Sequence, residues 1–174
     1  MLKKTSDRRP RSFRRTPSQY IMVNQPEHLV GIGFRCWLAG YDTGDINCWE
    51  AGWNQISRAL GPARAKPVVT ELACWVRTIH AQACRKIQYY PVNCAGFCRD
   101  ECMAISMIAA SQHNACPALR ACAFALIGES HIDPVIEASE EFAGVLHDVE
   151  INLRIDSIAE IAGILDTGTT RLAN

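Results

Sequence analysis

Apolar residues in this chain recur at three- and four-residue intervals and hardly ever at alternate positions, the pattern of amphipathic helices rather than strands. Leu29, Ile32, Trp37 and Tyr41 mark a first helix that runs from Glu27 to the YDTGD cluster. Asp45 is placed to cap a second helix, in which Trp49, Trp53, Ile56 and Leu60 share a face and which Gly61-Pro62 should stop. Pro67 predicts the first turn of a third, with Val68, Leu72, Trp75, Val76, Ile79 and Ala83 carrying an apolar face to about Tyr90. After Pro91, Asn93 is placed to cap a fourth helix through Cys94, Cys98, Cys102, Ile105 and Ala109 to His113-Asn114. Pro117 opens a short fifth that ends at Gly128. Asp133-Pro134 is the clearest start signal, an N-cap followed by proline in the first turn. The spacing of Val135, Phe142, Val145, Leu146, Val149, Leu153, Ile158, Ile161 and Leu165 then predicts one long segment that either breaks once or runs along a partner.

Five or six amphipathic helices on short loops predict an all-α, single-domain helical bundle with a long C-terminal helix. At 174 residues one domain with a real core is the natural count. The boundaries read as a basic, disordered tail at 1–26, the bundle at 27–166 and a frayed end at 167–174. A near-repeat, CWLAG at Cys36–Gly40 and CWEAG at Cys48–Gly52, is too short to signal a solenoid.

Charge sharpens this picture. The total balances at 18 Lys/Arg against 18 Asp/Glu, yet MLKKTSDRRPRSFRR at the start sets seven basic residues against Asp7 alone. Such a tail suits an anionic surface, an acidic partner or nucleic acid. No second basic patch in the body extends the footprint, which weighs against nucleic acid. The paired arginines are followed by no long apolar run, since Asn24, Gln25 and Glu27 interrupt Tyr20–Val23. That argues against an export signal. No stretch of about eighteen apolar residues predicts a membrane span, so the expected location is cytoplasmic.

The nine cysteines are an odd number behind no signal peptide, which predicts free thiols rather than a disulfide framework. Cys94, Cys98 and Cys102 stand four apart and, on one helix, would climb a single face at about 6 Å per step. Three such thiols cannot all hold one zinc, whose sulfur distances are about 2.3 Å. Two of them could, with help from another helix. Cuprous ion suits soft thiolates better. Over Cys94–Cys102 the spacing resembles the four-spaced rows with which copper-storing bundles line their interiors, although Cys74/Cys84 and Cys116/Cys122 do not continue it. His113 and Cys116 flank the next turn, so the metal candidates are Cys94, Cys98, Cys102, His113 and Cys116, for copper or zinc. A redox switch is the other active reading, with Cys94 favoured by the helix dipole and Asp100 and Glu101 opposing it. Against both stands plain packing, because free cysteine behaves as a small hydrophobe.

Other chemistry finds less support. No iron–sulfur spacing, P-loop, G-x-S-x-G, H-E-x-x-H or paired E-x-x-H occurs, and YDTGDIN lacks the ligands of a calcium loop. Gly31-x-Gly33 follows no strand and reads as room for close helix crossing. Trp49 and Trp53 share one face and serve either a flat ligand or the core. The favoured expectation is a non-enzymatic binding or regulatory protein that works through protein–protein contacts, as a homodimer or with a partner. The alternatives are a thiolate metal or redox protein, and an enzyme or small-molecule binder with a site assembled in the bundle.

Overall fold

A computed structural model describes residues 26–158, so the basic tail up to Gln25 and the end beyond Ile158 lie outside the described residues. The fold is an all-helical bundle: α1 (Pro26–Thr43), α2 (Ile46–Leu60), α3 (Pro62–Gln82), α4 (Arg99–Gln112), α5 (Cys116–Ile127) and α6 (Asp133–Asp148). A further helical turn begins at residues 156–158.

α1 is the hub. Every residue from Val30 to Gly40 is buried, as expected for a helix that is apolar nearly all round. α2 and α3 pack on one side of it and α4 on another, while α6 closes the bundle against α3 and α4 and α5 lies on α4. Glycine lets the neighbours come close. A Cβ at Gly31 would meet the Phe97 ring at 2.5 Å and Ile105 at 2.8 Å, and one at Gly33 would meet Leu72 at 2.8 Å. The near-repeat acquires a meaning here. A Cβ at Gly40 would strike the Trp49 ring, and one at Gly52 would strike Trp37 at 2.5 Å. Each repeat's tryptophan lies over the other's glycine, which clasps α1 to α2. At the far side Trp75 sits between Phe34 (5.5 Å) and Phe142 (5.2 Å, stacked). Its indole N–H donates to Ser139 Oγ at 2.9 Å, which donates on to Val135 O at 2.6 Å. A buried polar edge is thereby satisfied.

Several predicted boundaries are corrected. Asp45 does cap α2, its side chain accepting from Asn47 N. Gly61 alone separates α2 from α3: it takes φ 78° and α3 starts at Pro62 rather than Pro67, which lies inside the helix. α3 ends at Gln82, not near Tyr90, and residues 83–98 are irregular. α4 starts at Arg99 rather than after Asn93, so Cys94 and Cys98 precede the helix and the predicted three-thiol helical row does not form. The long C-terminal helix is shorter than expected as well. α6 has 16 residues and breaks at Val149-Glu150, because the chain there is turned and held by other elements. Asp133 is the first residue of α6 and pairs with Arg120 at 3.2 Å instead of capping. No helix among the described residues is long and apolar enough to cross a membrane.

Candidate functional site

The irregular segment 83–98 holds two of the predicted ligands, Cys94 and Cys98, and two arginines and two carboxylates organise it. Asp100 and Glu101, in the first turn of α4, are buried. Arg35 on α1 and Glu101 are each 0% exposed and meet at 2.5 Å. Arg35 also donates to the carbonyls of Cys94 at 2.8 Å and Gly96 at 2.5 Å, and lies 5.0 Å from the Phe97 ring centre. Glu101 accepts from Cys98 N at 2.7 Å and Tyr90 N at 3.3 Å. Arg85 grips Asp100 with two nitrogens at 2.7 and 2.9 Å and donates to Ala125 O, and Asp100 also accepts from Gln88 N. One fully buried ion pair, Arg35–Glu101, and one half-buried pair, Arg85–Asp100, thus pin an irregular loop to the bundle.

Within this frame Cys98 is a helix cap. Its sulfur accepts from Glu101 N while the Glu101 carboxylate reaches back to Cys98 N, a capping box in which sulfur replaces the usual hydroxyl. The thiol donates in turn to Gln88 O at 3.1 Å. Burial first, and the Glu101 charge with it, pushes the Cys98 thiol up to about 11, outweighing the helix-end bonds that lower it. Burial likewise lifts Cys36 and Cys122 to about 11. These three are held as thiols, not poised as thiolates.

The other predicted ligands are dispersed. Cys94 lies in the loop, its carbonyl held by Arg35, and Cys102 is half-buried in the first turn of α4. His113 caps the end of α4 and Cys116 opens α5, exposed. Among the described residues no three His, Cys, Asp or Glu groups gather closely enough to hold a metal ion. A shallow cleft of about 170 Å³ between the ends of α1 and α3 is lined by Leu38, Asp42, His80, Arg85, Lys86 and Ile87 among others. His80 Nε2 and Asp42 Oδ1 are 3.1 Å apart there.

A second set of side-chain to main-chain hydrogen bonds lies where residues 149–158 cross the bundle. This strap alternates as an extended segment does: Ile151 half-buried, Asn152 exposed, Leu153 2% exposed, Arg154 exposed. Its main chain is read by side chains of α1 and α4. Gln112 donates to Ile151 O at 2.8 Å and accepts from Leu153 N at 2.8 Å. The Gln112 amide therefore takes the place that a neighbouring strand's peptide group would hold. His113 donates from Nε2 to Leu153 O at 2.8 Å, so that nitrogen carries the proton. Glu27 accepts from Arg154 N at 2.8 Å and Ser157 Oγ at 2.9 Å, and Ser106 Oγ donates to Ser157 O at 2.5 Å. Burial pushes the Glu27 carboxyl up, but hydrogen bonds from Arg154 N, its own N–H and the Ser157 hydroxyl outweigh it and hold it below the usual range. Gln112, Ser106 and Glu27 carried no sequence signal, because a polar residue on a helix reads as solvent-facing until its neighbour is known.

In comparisons with known proteins, no family model, no curated protein and no solved structure matches this chain.

Proposed function

We propose that this protein is a non-catalytic helical binding module, acting through protein–protein contact, whose recognition surface is the groove formed by Glu27, Ser106, Gln112 and His113. The observation that carries the reading is the Gln112 pair of bonds to Ile151 O and Leu153 N. Side chains that read the main chain on both sides of one residue, beside a pocket for an alternate side chain, follow the logic of strand-addition recognition. The groove supplies donors to three carbonyls of the strap, acceptors to two of its N–H groups, and one apolar socket for Leu153. It is a regulated surface, since the chain's own strap fills it.

The test opens the groove in the full chain. Leu153→Asp places a charge in the socket and dislodges the strap while leaving α1 and α4 unchanged. A fluorescent peptide of residues 149–158 then binds this variant, and adding Gln112→Ala weakens binding about tenfold, in line with two lost hydrogen bonds. No binding at about millimolar peptide, by a variant whose helical circular dichroism is intact, overturns the reading.

A further inference from the structure

The end of α6 differs from the two helix ends before it. α5 closes on Gly128 at φ 72°, and α4 on Asn114 at φ 54°. Glycine and asparagine are the residues that tolerate this left-handed turn. α6 closes in the same way, with Ile151 N bonded to Leu146 O and Glu150 N to His147 O, but the left-handed residue is Glu150 at φ 61°. Glutamate has a Cβ to strain and no local hydrogen bond in compensation. Neither glycine nor proline stands at Asp148-Val149-Glu150, so nothing local stops the helix.

What turns the chain comes from other elements. Arg64 on α3 donates to Val149 O and lies 3.9 Å from the Glu150 carboxylate. Beyond the turn, the strap is fastened by Gln112, His113, Ser106 and Glu27. The apolar spacing ignores the break, since Phe142, Leu146, Val149 and Leu153 continue one helical stripe in the sequence. Residues 149–158 therefore have two conformations open to them: folded back as the strap, or carried outward as a prolongation of α6. In an isolated chain the straight form strips Leu153 of its socket and leaves the groove's polar groups unpaired.

We infer that the strap is exchangeable and that its second receptor is another copy of this chain: α6 straightens through Val149-Glu150 and its strap seats in the groove of the second copy. This deepens the reading of the groove as a binding surface and rests on it. A second copy offers the same main chain, the same Leu153 and the same Arg154 and Ser157 to Glu27, so each contact made within the chain is remade between chains. Only the hinge differs between the two states, and exchange relieves it. Reciprocal exchange of an identical element is a low-cost route to a closed symmetric dimer.

Substitution at the hinge alone tests this on the full chain. Glu150→Gly removes the left-handed penalty and holds the strap at home. About fivefold is expected at each hinge and, with two hinges per dimer, about twenty-five-fold weaker dimerisation than wild type by sedimentation equilibrium. Glu150→Ala retains the penalty and favours continued helix, so its dimerisation stays at or above the wild-type level. Cross-links between strap and groove should join isotopically heavy to light chains in a mixed dimer. Monomeric wild type and Glu150→Ala at about millimolar concentration overturn the exchange, as do dimers indifferent to Glu150→Gly or cross-linked only within each chain. Peptide binding by the Leu153→Asp variant in any of those cases leaves the groove reading standing, and its absence removes both.

Discussion

At the scale of the residue, the cysteines change character once their neighbours are known. Cys98 was legible as part of a four-spaced row, but its work is done through Glu101, and the signal was the short run Cys98-Arg99-Asp100-Glu101, a capping box with sulfur in the hydroxyl position. Cys98→Ser should therefore leave stability close to wild type, whereas Cys98→Ala removes the cap and costs about 1 kcal/mol, read from urea unfolding midpoints. With Cys36, Cys98 and Cys122 raised to about 11, a thiol reagent at pH 8 should modify the exposed Cys116 well before those three. Mass spectrometry of early time points would show the order. Glu101→Ala leaves the Arg35 guanidinium buried without its counter-charge and is expected to destabilise by about 3–5 kcal/mol.

At the scale of the element, glycine decides how closely helices meet. The CWLAG and CWEAG pair was visible in the text of the chain, but its reciprocity was not, because Gly40 and Trp49, or Trp37 and Gly52, are matched only when α1 and α2 fold against each other. Gly40→Ala and Gly52→Ala each drive a methyl into a tryptophan ring and should destabilise by about 1–3 kcal/mol in thermal melts. Gly144, with nothing near its Cβ position, provides the contrast: Gly144→Ala should stabilise α6 by about 0.5–1 kcal/mol. Helix starts and stops were read well where punctuation is local, at Asp45, Gly61 and Gly128. They were misplaced at Asn93 and Tyr90, where Arg35 and Arg85 hold the loop through distant partners and the cap is Cys98.

At the scale of the whole molecule, the strap ties the first described turn of α1 to the last described residues through Glu27. The sign of its pH dependence follows from the lowered carboxyl. Glu27 contributes stability above the ordinary value of 4.5 and loses it as pH falls through the lowered value in the folded protein. Hydrogen exchange should therefore show the Arg154 amide losing protection on acidification below 4.5 ahead of the amides of α1. Glu27→Gln should remove that dependence and leave the strap looser at neutral pH.

The amino-acid sequence by itself determined the helical class and most helix positions, because apolar periodicity and local caps act over three or four residues. Tertiary structure alone decided where α6 ends, which cysteine caps a helix, and which polar side chains form the groove. Those outcomes depend on partners tens of residues away: Arg64 on Val149, Arg35 on Glu101, Gln112 on Leu153. A helix with no local stop continues until another element offers its backbone a better set of hydrogen bonds, and only the folded bundle makes that offer.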